Sequence, residues 1–341
     1  MTHDRDLLVL DSFSAWLPTE DGEVQVLDDV SFTVRAGEFV GLAGESGSGK
    51  TMSALAVLRM LPAKAARVEG RIEFAGRDVL SMGRREVRAM RSAEVAFVSQ
   101  DAMGSLHPAY RVGDQIAETI RAHERVSRRA ARERAVELLA KVGIPEPERR
   151  ANERPSEFSG GMQQRACIAM ALSCRPSLLI ADEPTTALDV TVQAQIVELF
   201  RSLRAELDMA VLFVSHDLGL LAGLCDRLVV MYGGQVVEQA GVDELFGDPR
   251  HPYTEALLMA APHPSLKGQR LPAIPGSPPM AGRFPTGCRF HPRCIHASEA
   301  CTSADIAPVQ LADRRVARCL RADELDLVNE IEITTGRTVS G

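Results

Sequence analysis

The sequence predicts an α/β fold with a parallel sheet, preceded by a turn-rich β region and followed by a small cysteine-bearing module. Short apolar runs at 177–181, 210–214 and 227–231 alternate with helical patterns, which is typical of a parallel sheet with crossover helices. Short alternating stretches within 7–40 indicate the β region. Four of the seven cysteines crowd into the last 54 residues, 288–341, and indicate the module.

Length and composition suit one large domain with an appendage. The chain has 341 residues, of which 45% are apolar and 25% charged, a balance typical of globular proteins. A net charge of −7 gives no reason to expect a nucleic-acid partner, which usually requires a basic surface. The polar N-terminus does not resemble a signal peptide, and no apolar run approaches the roughly 20 residues that span a bilayer. We therefore expect a soluble chain whose membrane partner, if any, does the spanning.

The elements follow in a consistent order. Within the β region, stretches at 24–27 and 31–34 are separated by turn residues from a buried-type strand at 39–42. A helix is predicted over 52–61, and a charged helical pattern extends from about 112 to 142.

The amino-acid composition changes after about residue 249. Prolines, which cannot continue a helix or a central strand, predict an extended strap over 262–285; they are Pro262, Pro264, Pro272, Pro275, Pro278, Pro279 and Pro285. The predicted domains are a core at 1–255, a cysteine-bearing extension at 256–325 and a loose tail at 326–341.

A glycine-rich loop lies between the strand at 39–42 and the helix at 52–61. Its residues match the phosphate-loop pattern G-x-x-x-x-G-K-[ST] and are Gly44, Glu45, Ser46, Gly47, Ser48, Gly49, Lys50 and Thr51. Backbone N–H groups of such a loop surround phosphates, and the following helix adds a favourable dipole. We expect Lys50 to neutralise the β- and γ-phosphates and Thr51 to ligate Mg²⁺. The alternative, a glycine-rich turn without a ligand, does not explain the match at every position.

An apolar strand that ends in two carboxylates complements this loop. Residues 178–181 are followed by Asp182 and Glu183. Asp182 can reach Mg²⁺ directly or through water, and Glu183 can polarise the water that attacks the γ-phosphate. The pattern is common by chance, and it gains weight because a phosphate loop precedes it.

A second candidate phosphate-binding turn occurs at 158–165, in Phe158-Ser159-Gly160-Gly161-Met162-Gln163-Gln164-Arg165. A serine hydroxyl, two bare backbone N–H groups and a helix N-terminus can bind an anion. In isolation the segment could equally be a serine N-cap with flexible glycines.

Together these motifs resemble the ABC ATPase family over nearly the whole chain. The signature motif is usually written LSGGQ; here Phe158 replaces the leucine, and Met162 and Gln163 follow the glycines. The resemblance implies a P-loop NTPase cassette, with a RecA-like core, an antiparallel β subdomain and a helical subdomain, that hydrolyses Mg-ATP.

Further residues are assigned by this resemblance. It implies that Gln100 touches Mg²⁺ and the water, that His216 contacts the γ-phosphate, and that Asp189 belongs to the D-loop formed by 187–189. Trp16 lies where the family places an aromatic ring that stacks on adenine, although Tyr or Phe is more usual. A lone histidine at a strand end is more often structural, but His216 follows an apolar strand, as the family requires.

The resemblance also implies partners. In this family two cassettes sandwich two ATP molecules, each between one chain's phosphate loop and the other chain's signature residues, here Ser159, Gly160, Gly161 and Gln163. A second cassette is therefore required, and in the group described next it is usually a related but different chain.

Three segments resemble the oligopeptide/dipeptide import group: 101–116 after Gln100, His251-Pro252-Tyr253-Thr254, and the C-terminal region from 271 onward. The group often has histidine where this chain has Ser156, which is not needed for phosphate contact. This resemblance implies an ATPase peripheral to the cytoplasmic face of the inner or plasma membrane. It also implies two membrane permease subunits and, indirectly, an extracytoplasmic substrate-binding protein.

The cysteine cluster reads Cys288-x5-Cys294-x6-Cys301-x17-Cys319. Four thiolates suit tetrahedral Zn²⁺ or an iron–sulfur cluster, and these gaps match neither usual spacing, so the pattern does not choose the metal. Resemblance to the import group implies a [4Fe–4S] cluster. His291 and His296 could contribute to a zinc site instead, and four free thiols are the remaining alternative.

Two functional alternatives stay open from the sequence. A soluble ABC ATPase of DNA repair or translation usually carries a long coiled-coil insertion or two cassettes, and this chain shows neither. A transporter ATPase of the same kind could serve nickel, glutathione or oligosaccharide, because the ATPase does not contact the cargo.

Overall fold

The computed structural model describes residues 6–62, 67–186, 188–206, 209–261, 273–303 and 305–327. The chain divides into two compact units. The helical unit contains residues 35–38 and 81–212, and the sheet unit contains residues 6–34, 39–80 and those from 213 onward. Across the described residues, no helix combines the length and apolar character needed to cross a bilayer.

The sheet unit contains a four-stranded antiparallel sheet, in agreement with the predicted β region. Its strand order is β2-β1-β4-β5. The strands are β1 (Asp6–Thr19), β2 (Gly22–Arg35), β4 (Arg67–Phe74) and β5 (Arg77–Asp78). Alternate residues of β1 and β2, such as Leu8, Leu10 and Val34, are fully or nearly fully buried, which is why these segments form a sheet with one apolar face.

The second sheet of this unit supports the phosphate loop. Two neighbouring strands of this sheet, β3 (Phe39–Ala43) and β9 (Arg227–Tyr232), pair in parallel, and every residue of both is buried. Antiparallel strands extend the sheet beyond β9 in the order β10, β12, β11; they are β10 (Gln235–Gly241), β11 (Val309–Ala312) and β12 (Arg315–Ala317). The helices are α1 (Lys50–Val57), α9 (Leu218–Leu224), α10 (Val242–Gly247), α11 (Pro252–Ala260) and α12 (Ala300–Ser303).

The cysteine-bearing segment is part of the sheet unit, because β12 pairs with β10 through Glu238 and Ala317. The small cysteine-bearing module predicted at the C-terminus is not confirmed, since its described strands continue the sheet of this unit. Composition marks a change in the chain but cannot reveal that the segment adds strands to an existing sheet. Of the predicted strap at 262–285, residues 262–272 lie outside the described residues, and 273–285 contain neither helix nor strand. The predicted tail also lies outside the described residues from 328 onward.

The helical unit is built on two parallel strands, β6 (Val95–Val98) and β7 (Leu178–Asp182). The Ala210 N–H at the start of β8 (Ala210–Val214) donates to the Ser177 carbonyl at 2.9 Å. The helices are α2 (Arg84–Ala93), α3 (Ala102–Ser105), α4 (Val112–His123), α5 (Arg128–Lys141), α6 (Pro147–Arg150), α7 (Gly160–Leu172) and α8 (Val190–Glu206).

The helical pattern predicted over 112–142 is interrupted in the structure. It forms α4 and α5, separated at 124–127, and the Ser127 hydroxyl accepts a hydrogen bond from the Ala130 N–H at 3.1 Å. Ser127 is thus an N-cap, which stabilises a helix start by roughly 1 kcal/mol. Buried residues such as Ile116, Ile120 and Leu139 form the apolar core of these helices.

Candidate functional site

The phosphate loop connects β3 to α1 in a conformation that requires glycine. Gly44 has φ of 143°, and a Cβ atom there would lie 2.3 Å from the Met231 carbonyl oxygen. The backbone therefore approaches β9 more closely than any side chain permits. The buried Lys50 Nζ donates to the carbonyl oxygens of Gly44 at 2.7 Å and Glu45 at 3.0 Å. Backbone carbonyl groups of the loop itself therefore hold the ammonium group in place.

Neighbouring strands and helices fix the loop from outside. The Gly234 N–H, in the turn between β9 and β10, donates to the Ser48 carbonyl at 2.9 Å. The Glu45 N–H donates to the Tyr253 hydroxyl at 2.8 Å. The Ser48 hydroxyl is buried, and among the described residues it has no hydrogen-bond partner, so the loop itself does not use its hydrogen-bonding capacity.

Trp16 lies on β1, directly opposite Arg67 of β4. The Arg67 guanidinium carbon is 3.6 Å from the centre of the indole ring, so one ring face is covered by a cation–π contact. Arg67 also forms an ion pair with Glu23 at 3.0 Å. An adenine ring that stacks on Trp16 must use the opposite face or displace Arg67.

His216 follows β8, and it is exposed. The Ser215 N–H donates to the Leu42 carbonyl at 3.1 Å, which places the start of this segment beside the last residues of β3. Asp217 accepts a hydrogen bond from the Leu220 N–H at 3.0 Å and caps α9. The segment that carries His216 is therefore anchored on both sides, by a strand and by a capped helix.

In the helical unit, the predicted carboxylates and Gln100 lie at one sheet edge. The parallel pairing of β6 with β7 aligns Val98 with Ala181, so Gln100 and Asp182 both lie at the carboxyl end of their strands. Asp182 is buried, whereas Gln100 is exposed. Ligands of α/β proteins commonly bind at this edge.

Glu183 has an unusual backbone conformation. Its φ of 45° lies in the left-handed region, which a glutamate rarely adopts and which costs of order 1 kcal/mol or more. The Thr186 hydroxyl donates to Glu183 Oε2 at 2.8 Å and the Thr186 N–H donates to its carbonyl at 3.1 Å. The turn from Glu183 to Thr186 thus fixes both the backbone and the carboxylate of Glu183.

The signature segment forms the N-terminus of α7. Ser159 is the N-cap, and its hydroxyl accepts from the Met162 N–H at 3.3 Å. A Cβ atom on Gly161 would lie 2.6 Å from Val192 Cγ1, so α8 packs against this position too closely for a side chain. Ser159 and Gly160 are exposed and available to a partner.

Gln163, predicted as a signature residue, and Asp189, predicted as a D-loop residue, have local structural roles. Gln163 is buried, and its amide donates to the Pro155 carbonyl at 2.8 Å, which turns this side chain toward its own chain. Asp189 is exposed and accepts from the Val192 N–H at 3.0 Å, so it caps the start of α8. Ala187 of the predicted D-loop lies outside the described residues.

The four C-terminal cysteines line one small cavity, together with His291 and His296. Burial raises the pKa of the Cys288 and Cys294 thiols, and it raises the pKa of Cys319 to about 11. These groups are therefore protonated at neutral pH, and a bound metal would have to displace the protons. No group of three or more His, Cys, Asp or Glu side chains within the described part of the chain is arranged to hold a metal ion. The arrangement of the described side chains thus does not support the metal centre predicted at the four cysteines.

The motif His251-Pro252-Tyr253-Thr254 begins α11 and reaches the phosphate loop through Tyr253. Burial raises the pKa of Glu238 to about 7, and its carboxylate accepts the N–H groups of Arg250 and His251 at 2.8 and 2.9 Å. Burial lowers the pKa of His251 to about 3, so its neutral ring accepts the Tyr253 N–H at 3.0 Å. The sequence singled out this motif but not its contact with the loop.

No motif in the sequence predicts a role for Arg293. This buried arginine forms two hydrogen bonds with the Glu45 carboxylate, from Nη1 to Oε2 at 2.7 Å and from Nη2 to Oε1 at 3.0 Å. One available signal was the repeated adjacency of arginine and cysteine in Cys288-Arg289, Arg293-Cys294 and Arg318-Cys319.

Comparison with protein families identifies two regions. The family described as ABC transporter matches residues 27–186, and the one described as oligopeptide/dipeptide transporter, C-terminal region, matches residues 237–301. The first match includes the phosphate loop and the carboxylates that follow β7, and the second includes three of the four C-terminal cysteines.

Individual proteins agree with these matches. The chain is 46% identical over 298 residues to the oligopeptide transport ATP-binding protein OppD of Salmonella typhimurium, covering 87% of this chain and 89% of that protein. It is 44% identical to the dipeptide transport ATP-binding protein DppD of Escherichia coli, covering 92% of this chain and 96% of that one. A dimeric structure of the cassette MJ0796 in a post-hydrolysis state with ADP and phosphate aligns with a TM-score of 0.62 and 26% identity, covering 69% of this chain and 98% of that one. The chain therefore belongs to the ABC transporter family, in the group of ATP-binding proteins of oligopeptide and dipeptide transport.

Proposed function

We propose that this chain binds and hydrolyses Mg-ATP to drive the import of peptides through a membrane ABC transporter. The observation that carries the proposal is the presence, in one chain, of a phosphate loop held for anion binding and of the C-terminal region typical of oligopeptide/dipeptide transporters. Neither feature alone would suggest the combination of ATPase activity with peptide transport.

The proposed site has two sets of residues that act on one ATP molecule. For nucleotide binding, Lys50 would neutralise the β- and γ-phosphates, Thr51 would ligate Mg²⁺, His216 would contact the γ-phosphate and Trp16 would stack on adenine. The N–H groups of 44–51 surround the phosphates. For the metal and the water, Asp182 and Gln100 would contact Mg²⁺ and Glu183 would polarise the attacking water.

The proposed partner is a second cassette, related to this chain but different from it. Its phosphate loop would hold the ATP against which Ser159, Gly160 and Gly161 of this chain close, and Asp189 would lie at the contact. The exposure of Ser159 and Gly160 supports this role, whereas the buried Gln163 would act only by shaping the helix start. Two permease subunits and an extracytoplasmic binding protein complete the transporter, with this chain peripheral at the cytoplasmic face of the membrane.

The test is transport by the complete assembly. The chain, its partner cassette, the permeases and the substrate-binding protein are reconstituted into proteoliposomes, and uptake of labelled di- and oligopeptides is measured with and without Mg-ATP. We expect uptake that requires ATP and that is lost in the Lys50→Ala variant. Uptake of nickel, glutathione or an oligosaccharide in place of peptides would contradict the proposed cargo but leave the ATPase role intact.

We propose further that Cys288, Cys294, Cys301 and Cys319 hold a [4Fe–4S] cluster, with Zn²⁺ as the alternative. The support is that all four cysteines line one cavity, although they must rearrange to become ligands. Thiolates are the ligands that both metals require. Protein purified without oxygen should be brown and contain about four iron atoms per chain.

The matched control for this test is Cys167→Ser, since Cys167 is buried in α7 and is not among the cysteines that line the cavity. Cys294→Ser should lose the colour and the iron, whereas Cys167→Ser should keep both. A colourless protein with stoichiometric zinc would establish the alternative, and a protein with neither metal would leave four free thiols.

A further inference from the structure

Three arginines of the cysteine-bearing segment form ion pairs with carboxylates elsewhere in the sheet unit. Each is buried and lies next to a cysteine in the sequence: Arg289 after Cys288, Arg293 before Cys294, and Arg318 before Cys319. Each ends on a carboxylate of the sheet unit; the pairs are Arg289 with Asp28 at 2.5 Å, Arg293 with Glu45 at 2.7 Å, and Arg318 with Asp29 at 2.7 Å. Within the sheet unit, the segment is therefore linked to three partly exposed carboxylates by arginines that are themselves buried.

Arg293 makes the contact that reaches the loop itself, because Glu45 is the second residue of 44–51. Its side chain is 5% exposed, and its guanidinium group donates five hydrogen bonds. Two are accepted by the Glu45 carboxylate. The others are accepted by the carbonyls of Pro275 at 2.8 Å and Ile274 at 3.5 Å and by the Tyr232 hydroxyl at 3.2 Å.

Hydrogen bonds to Pro275, Ile274 and Tyr232 thus hold the guanidinium group in position independently of Glu45. Burial acts against its charge, but the hydrogen bonds with Glu45 and Tyr232 outweigh burial and raise the pKa of Arg293. A planar, fully bonded guanidinium that grips both carboxylate oxygens fixes the direction of that carboxylate as well as its distance.

Aromatic packing supports the same contact. Phe290, three residues before Arg293, is buried against both Tyr232 and Tyr253, with ring centres 5.2 and 5.3 Å away. Tyr253 accepts the Glu45 N–H. Glu45 is therefore held by its backbone through Tyr253 and by its side chain through Arg293.

Glu45 in turn holds the lysine of the loop. Its carbonyl accepts a hydrogen bond from the Lys50 ammonium group at 3.0 Å. A displacement of Glu45 would move this acceptor and change the direction in which the ammonium group is presented. The contacts run in one continuous series from Arg293 through Glu45 to Lys50.

We infer that Arg293 is a positioning residue for nucleotide binding, which sets the conformation of the phosphate loop through Glu45. The inference rests on the proposed role of residues 44–51 in ATP binding. It gives the cysteine-bearing segment a direct effect on the ATPase, because that segment delivers Arg293 to the loop.

The test measures ATP affinity and turnover separately in the complete cassette pair. Arg293→Ala should raise the Kd and KM for Mg-ATP about tenfold or more, in the range of typical coupling between sites, while kcat at saturating ATP changes little. Arg293→Lys, which keeps the charge but cannot bind bidentately, should fall between the wild type and Arg293→Ala. Glu45→Gln should reproduce the effect, and adding it to Arg293→Ala should weaken affinity little further.

The matched control is Arg315→Ala. Arg315 comes from the same segment and forms an ion pair with Asp248 at 2.9 Å, and in the part of the chain that the structure describes its hydrogen bonds are to Asp248 and not to residues 44–51. It should leave the Kd for Mg-ATP unchanged. Thermal unfolding without nucleotide is recorded for every variant, and if Arg293→Ala does not fold, Arg293→Lys and Glu45→Gln decide the question.

A purely structural anchor would lower the melting temperature without changing ATP affinity, and this result would overturn the inference. Additive effects of Arg293→Ala and Glu45→Gln would overturn it as well. If the wild type and Arg315→Ala also fail to bind ATP, the proposed function fails instead, so the two failures are distinguishable.

Discussion

Replacement of Glu183 by glutamine is expected to abolish ATP turnover while leaving Mg-ATP binding intact. Glutamine has the size and shape of glutamate but cannot accept the proton of the attacking water. A general base typically contributes about 10²- to 10⁴-fold to a rate, and we expect a loss of this size in steady-state ATPase activity. The variant should also accumulate as an ATP-bound pair of cassettes, measurable by size-exclusion chromatography with Mg-ATP.

The structure explains why this substitution is a clean test. The Thr186 hydroxyl donates to Glu183 Oε2, and the amide oxygen of glutamine can accept the same bond. Glu198→Gln is the matched control, since Glu198 is exposed on α8 and pairs only with Arg201 at 3.3 Å in the described contacts. Full turnover by Glu183→Gln would contradict the assigned role of Glu183.

Replacement of Lys50 by alanine is expected to weaken nucleotide binding itself. The substitution removes the charge that neutralises the β- and γ-phosphates, and hydrogen bonds to charged groups are worth about 1.5–3 kcal/mol each. The Kd for Mg-ATP, measured by equilibrium dialysis or calorimetry, should therefore rise by at least about tenfold. Turnover falls as a consequence of the lost binding.

Lys141→Ala is the control for this prediction, because Lys141 pairs with Glu206 at 2.7 Å on the helical unit and has no assigned role. An unchanged ATP affinity in Lys50→Ala would contradict the role assigned to the loop. Comparison of Lys50→Ala with Glu183→Gln separates loss of binding from loss of chemistry.

Short-range patterns predicted much of the fold. The strand predicted at 39–42 is β3, and the apolar runs at 177–181, 210–214 and 227–231 correspond to β7, β8 and β9. These segments are locally determined, because buried strands need continuous apolar residues and the loops between them need glycine and polar residues. The break between α4 and α5 was missed because the helical pattern of 112–142 continues through the N-cap Ser127.

Contacts between distant residues could not be predicted in the same way. Glu45 and Arg293 are 248 positions apart, and neither residue's neighbours indicate the other. Arg67 covers Trp16 because β1 and β4 pair in one register, which the sequence does not specify. Gln163 was assigned to the partner's ATP by resemblance, whereas burial and its bond to Pro155 depend on how the preceding loop folds.

In the proposed function, a nucleotide is held by the backbone of the phosphate loop in one cassette and by the Ser-Gly-Gly turn of the other. The most direct test is equilibrium binding of Mg-ATP to the purified chain mixed with its cognate second cassette. We expect saturable binding that promotes pairing of the two chains and weakens when Lys50 is replaced by alanine. No measurable affinity of this mixture for Mg-ATP would contradict the account.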